Sequence, residues 1–381
     1  MRMFSKKTAK VRDRAREVAD ELRKDADKVD AQCTFPASHL GLLWDSGFMA
    51  LRAPREQGGM DATLPEAAVV VEELARGSAA AALIVLLQAL AAEAIRGFAS
   101  EKQAAEWFDK IVTNRFISSF ALSEPEPGPS EKAKLTVARK VKGGYVITGR
   151  KTFVTGARDA DLVVVFAVTS PKARLKKALS AFVIPAGTTG MMPGAEDPKS
   201  GLRGAPAVEL VFSGCRVAAS TRLGAAGAGY AVAQKAIITA APLAAALSCG
   251  LLAEALEHTI ALARGRGRNA APLSEFQPLE LALADAMAGL DSSLALTWAA
   301  AGAVEENAPG AERLARESKW VAGEAAVSGI DQAMAMFGLE ASLRGSYLER
   351  LSRDARSARL ILGPNHIHKI EVARKLISGK Y

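Results

Sequence analysis

The chain has 381 residues and a formal net charge of +8; 49% of its residues are apolar but only 6% aromatic. That length carries more than one domain, and an alanine-rich, aromatic-poor mixture suits packed helices better than sheets. The basic excess favours anionic ligands, yet no basic–aromatic alternation, helix-turn-helix, zinc-finger or RNA-binding signature accompanies it, so a phosphorylated ligand is expected rather than a nucleic acid. Three scattered cysteines, Cys33, Cys215 and Cys249, and four histidines without close Cys/His spacing argue against a disulfide framework and a zinc site.

Along the chain, "MRMFSKKTAKVRDRAREVADELRKDADK" is basic and helical. Asp13, Glu17 and Asp20 argue against an organelle-targeting segment, and Val11, Ala15, Val18 and Leu22 recur at helical spacing, so it reads as a first domain helix. The apolar run "AAAALIVLLQALAA" from Ala79 reads as too short for a bilayer and is interrupted by Gln88, so a buried helix, no membrane span and a cytoplasmic protein are expected. The turn "PREQGGMDATLPE" breaks this first helical zone. After Phe116, "GGYVITGRKTFVTGA", "DLVVVFAV", "SAFVIP" and "AVELVFSGCRV" are short, β-branched and bounded by glycines, as strands of a small sandwich or barrel are. Past the Gly/Ala-rich "GAAGAGYA", helical patterns run to the end. The expected class is α+β, mostly α: a helical domain over 1–115, a β-domain over 116–221 and a helical bundle over 222–381.

Four segments in register carry a family resemblance. "FALSEPEPGPS", "GGYVITGRKTFVTGA", "GLRGAPAVELVFSGCRV" and "YLERLSRDARSARLILGPNHIHKIEVARKLI" resemble, in order, the acyl-CoA dehydrogenase patterns A-x-T-E-P-x-A-G-S-D, G-x-Y-x-L-N-G-x-K-x-W-I-T-N, G-x-R-G-S with its following strand, and R-D-A-R-x-x-x-I-x-E-G-T-S-E-I-Q. The resemblance implies a helical domain, a β-domain and a C-terminal four-helix bundle, assembled as a tetramer. It implies FAD between β-domain and bundle, with the adenosine end reaching a neighbouring subunit. The implied substrate is an acyl-CoA or carrier-bound acyl thioester, desaturated at the 2,3 position, with electrons leaving through an electron-transferring flavoprotein.

By the same resemblance, Ser123 stands where a threonine bonds the flavin ring, Phe153 where a tryptophan stacks beside it, and Thr155 near flavin N5. Arg266 falls where a neighbouring subunit's arginine meets the pyrophosphate, which the planar guanidinium suits, and His366 at a cofactor-facing position. The departures centre on proton transfer. Leu362 occupies the place of the glutamate that takes the α-proton, and Ala240 the alternative base position, beside Ala241 in place of a ligand-contacting arginine. Ala335, Leu339, Asn269 and Pro364 replace further cofactor contacts, and Pro129 a serine that touches the acyl-CoA. His366 and His368 are alternative bases by proximity; Glu126 and Glu340 have no better claim, and Glu254 and Glu257 read as the solvated side of a helix. The expected function is that of an acyl-CoA dehydrogenase-like oxidoreductase whose base has moved; the alternatives are a silent subunit that pairs with a base-bearing paralogue, and a flavoprotein whose chemistry needs no α-deprotonation.

Overall fold

The computed structural model describes residues 6–125, 136–265, 267–268, 271–272 and 275–379. Six helices come first: α1 (Lys6–Arg23), α2 (Ala26–Gln32), α3 (Ala37–Asp45), α4 (Leu64–Gly77), α5 (Ala79–Phe98) and α6 (Glu101–Thr113). The predicted stripe on α1 is real, since Ala15, Val18 and Leu22 are buried and Val11 packs on the same core. Thr63 and Glu66 form a capping box at the start of α4, satisfying two N–H groups that the first turn leaves without partners.

Eight strands follow: β1 (Ser118–Ala121), β2 (Val137–Val141), β3 (Gly144–Thr155), β4 (Leu162–Val168), β5 (Leu179–Pro185), β6 (Met191–Asp197), β7 (Ala207–Ala218) and β8 (Arg222–Leu223), with the short α7 (Leu175–Ala178) before β5. Their order is β6-β7-β3-β2-β4-β5-β8, with β1 parallel to β4. The burial of β4 explains its unbroken apolar sequence. Val163, Val165 and Ala167 join the core of the β-domain, whereas Leu162, Val164 and Phe166 join the helical core. A strand buried on both faces has no polar side to alternate with.

The last zone holds α8 (Gly229–Gly265), a small hairpin of β9 (Gly267–Arg268) and β10 (Ala271–Pro272), then α9 (Gln277–Glu305), α10 (Ala311–Phe337), α11 (Tyr347–Ala358) and α12 (Asn365–Ile377). Alanines and glycines let these helices approach closely. A Cβ at Gly250 of α8 would lie 2.2 Å from the Glu72 carbonyl oxygen of α4, so only glycine permits that crossing. Helices α5 and α8 are long and apolar enough to cross a membrane, but 83% and 89% of their apolar windows are buried inside the fold. The helix from Ala79 extends over 20 residues, so burial, not shortness, makes it a core helix.

Candidate functional site

The β-domain brings Ser123, Phe153 and Thr155 to one rim. A bulge between Lys151 and Val154 interrupts the β3–β7 pairing, and Phe153 sits in it with φ 57° and 66% exposure. Its N–H donates to Asp197 Oδ2 at 2.9 Å, which holds an uncommon backbone conformation and presents the ring outward. Thr155 ends β3, and its carbonyl accepts the Ser119 hydroxyl at 2.8 Å. Ser123 is exposed, and its carbonyl accepts the Thr152 N–H at 3.1 Å.

Beneath this rim lies a buried ion pair that sequence reading missed. Lys151 is 1% exposed; its ammonium donates to Glu124 Oε1 at 2.6 Å and to the Leu122 carbonyl at 3.1 Å. Burial pulls the lysine below its usual pKa, and Glu124 opposes that shift. Glu124 Oε1 also accepts the Thr136 N–H at 3.0 Å. Both neighbours of Ser123 are thereby tied to β3.

Leu362 lies in the turn between α11 and α12, with φ 58° and its side chain half-buried against the helical core. Within the turn the Ile361 N–H bonds to Ala358 and the Gly363 N–H to Leu360, while no acceptor among the described residues takes the Leu362 N–H. Ala240 is 1% exposed within α8 and belongs to the helical core. His366 is exposed in the first turn of α12. His368 is buried instead, with Nε2 3.1 Å from the Leu362 carbonyl, and burial followed by the Lys319 and Arg316 charges holds its pKa down at about 4. It is a neutral donor committed to the turn, not a free base.

Ala335, Leu339 and Glu340 are exposed at the end of α10 and the turn after it. Arg266, Asn269, Glu126 and Pro129 lie outside the described residues. The expectation for Glu254 is corrected. It is buried, accepting from Tyr347 at 2.7 Å and Arg23 at 3.1 Å, because α8 is enclosed by neighbours from other elements. Glu257 is exposed and paired with Arg76.

Two of the sequence motifs meet at a junction that neither announces alone. The α11 residue Arg353 grips Asp30 of α2 through two bonds, 3.0 and 2.7 Å, and donates to the Ser200 carbonyl at 2.8 Å. A Cβ at Gly201 would lie 2.1 Å from the Arg353 carbonyl oxygen, so the glycine lets the β-domain loop press against α11. The Leu202 N–H then donates to Asp354 Oδ1 at 2.6 Å. Burial raises the Asp354 pKa to about 6, against the pull of the Leu202 bond and Arg350.

A carboxyl whose folded-state pKa is raised penalises folding once ionised, fully above pH 6 and not below its ordinary value near 4. Asp354→Asn keeps an acceptor for Leu202 and removes that penalty. The variant should be more stable than the parent by about 3 kcal/mol at pH 8, with the gap closing toward pH 4. Urea unfolding at several pH values reads this directly; a gap independent of pH would refute the assignment.

Models of the acyl-CoA dehydrogenase N-terminal, middle and C-terminal domains match residues 5–115, 119–215 and 227–377. The chain is 31% identical over 355 residues to the mitochondrial short-chain specific acyl-CoA dehydrogenase of Bos taurus, covering 93% of this chain and 86% of that protein. It is 28% identical over 357 residues to the probable acyl-CoA dehydrogenase fadE25 of Mycobacterium leprae, covering 94% and 92%. In fold it superposes on butyryl-CoA dehydrogenase from Megasphaera elsdenii with a TM-score of 0.94 at 24% identity, covering 99% of this chain and 100% of that one. It superposes on PigA with FAD and proline with a TM-score of 0.91 at 26% identity, covering 98% of each. Three domain models in order, together with a relative sharing almost the whole length, place the chain in the acyl-CoA dehydrogenase family.

Proposed function

We propose that this chain binds FAD and an acyl-CoA thioester, and that it acts as a base-less subunit of a 2,3-desaturating acyl-CoA dehydrogenase, completed by a base-bearing paralogue. The observation that carries the reading is the turn at Leu362. It keeps an N–H without an acceptor among the described residues but offers an alkyl side chain at the position that, by resemblance, carries the proton-accepting carboxylate. Two titratable groups near it are committed elsewhere. His368 binds the turn's carbonyl, and Glu324 accepts from Asn365 at 2.8 Å and Arg359 at 3.2 Å. Burial works to raise the Glu324 pKa, but those two bonds prevail and hold it below the usual carboxylate value, too acidic for a working base.

The rim residues fit a flavin. Phe153 offers an exposed aromatic face on a fixed backbone, with the Ser123 and Thr155 hydroxyl-bearing residues beside it. Ser123, Phe153, Thr155 and His366 would hold the cofactor, and Arg266 its pyrophosphate across a subunit boundary. When bound, FAD supplies the acceptor for a hydride from the β-carbon. The chain's own contribution is to orient the thioester and to donate a hydrogen bond from Leu362 to its carbonyl oxygen. Assembly with another subunit is supported by large apolar side chains left exposed after α10 (Leu339, Leu343) and on α12 (Ile367, Ile370, Leu376, Ile377), which a partner would cover. An electron-transferring flavoprotein would re-oxidise the assembled enzyme.

The purified chain should be yellow, and heating should release FAD and not FMN. Anaerobic butyryl-CoA should shift the flavin absorbance bands without bleaching them. Rapid bleaching would mean that a base is at work in the unaided chain, and a colourless, butyryl-CoA-indifferent protein would overturn the whole reading.

A further inference from the structure

The turn that carries Leu362 rests on a buried polar cluster with no part in the proposed chemistry. Lys319 of α10 is 1% exposed, and its ammonium donates to the Arg359 carbonyl at 2.6 Å, the Gly363 carbonyl at 2.7 Å and Asn365 Oδ1 at 2.7 Å. His368, also 1% exposed, donates from Nε2 to the Leu362 carbonyl. A carbonyl only accepts, so this contact places the ring proton on Nε2. Asn365 is itself fixed by its bond to Glu324.

Such a cluster is expensive. Burial pulls Lys319 down to about 7, although three acceptors call for all three N–H groups of the ammonium. His368 Nδ1 is buried with no partner among the described residues. Capping the end of α11 requires only the bond to Arg359. Of the remaining bonds, one reaches the Asn365 side chain and two go to the carbonyls of residues 362 and 363, the two peptide oxygens that follow the Leu362 N–H. Fixing them sets the backbone on the C-terminal side of a residue already held at φ 58°, and so sets the direction of its N–H.

We infer that Lys319 and His368 are positioning residues, which hold the Leu362 N–H as a donor to the carbonyl oxygen of the bound acyl thioester. The inference rests on the proposed thioester site and adds to it the residues that aim its N–H. Lys319 and His368 do not touch the ligand; they act through the backbone.

The test compares two ligands on the FAD-loaded full chain: butyryl-CoA, and its thioether analogue in which CH2 replaces the carbonyl. The parent should prefer the thioester. Lys319→Met and His368→Leu should each reduce that preference about tenfold, with thioether affinity unchanged, since one hydrogen bond is misdirected. His368→Gln, whose side-chain amide can still donate, should restore it. The infrared stretch of the bound thioester carbonyl should move back toward its solution frequency in the first two variants only. Equal losses for both ligands would make the cluster a purely structural cap and overturn the inference, as would an unchanged preference. If Lys319→Met does not fold, His368→Leu, which removes a single bond, decides the matter alone. A parent that binds both ligands equally overturns the positioning role only; a parent that binds neither overturns the thioester site as well.

Discussion

Leu362→Glu should raise oxidation of butyryl-CoA by the isolated chain by about 10²-fold or more, the range a positioned general base contributes. The site can accept the change. Leu362 is half-buried rather than sealed, its backbone conformation is fixed by the turn, and the N–H is independent of the side chain. Burial will raise the new carboxyl's pKa, and the Lys319 ammonium beneath the turn will lower it, so the group should titrate within the useful range for a base. Ala240 is the poorer place for repair. It is 1% exposed within α8, and a glutamate there must displace packed alanines and leucines, at a cost of roughly 1–3 kcal/mol from overpacking alone. Ala240→Glu should therefore lower the midpoint of thermal unfolding without a comparable gain in rate. The measurement is turnover with an artificial electron acceptor. If Leu362→Glu binds butyryl-CoA and FAD as the parent does yet remains inactive, the missing carboxylate is not what limits this chain.

What the sequence revealed and what it hid follow from how far apart the partners lie. Strand β3 was legible because short motifs fix local strand geometry, and the bulge at Phe153 belongs to one such motif. The turn at Leu362 carries a local sign in the glycine and proline that follow it directly. The Asp30–Arg353 clamp was not, since its partners are 323 residues apart and nothing local distinguishes an aspartate that meets an arginine from one that meets water. Glu254 was misread for a similar reason. Helix α8 is apolar nearly all round, so its few charges suggest a wet face, whereas Arg23 and Tyr347 come from α1 and from α11 to enclose this one. Strand β6 contains Pro193 and Gly194 and is largely exposed at the edge of the sheet, and β2 has only Ala138 well buried; neither carries the alternation that identifies a strand. The buried lysines were the most informative residues missed. Each lies inside a stretch whose apolar neighbours or motif letters explained it well enough without a partner.

Breaking the Lys151–Glu124 pair should be the most destabilising polar change in the β-domain. Lys151→Met leaves the Glu124 carboxylate with only the Thr136 N–H, in a site where its second oxygen is already buried and without a partner among the described residues. Removing one member of a buried pair typically costs about 3–5 kcal/mol, because the stranded charge keeps its desolvation penalty and loses its compensation. The effect should reach the rim proposed to hold the flavin, since Leu122 and Glu124 hold Ser123 from both sides. FAD retention should fall along with stability. Glu124→Leu should be costly in the same way, leaving the ammonium with the Leu122 carbonyl alone. The double variant Lys151→Met/Glu124→Leu strands neither charge, so it should recover a large part of the stability lost in either single variant. It should not recover FAD retention to the same extent, because the ties on Ser123 and the Thr136 N–H acceptor are still gone. Urea unfolding of the four proteins closes the cycle, and the released flavin gives the second readout. Single-variant losses below about 1 kcal/mol, or losses that simply add in the double variant, would show that the two groups are not coupled as a buried pair. Flavin loss that tracks stability in every variant would show that the pair supports the fold without specifically holding Ser123 in place.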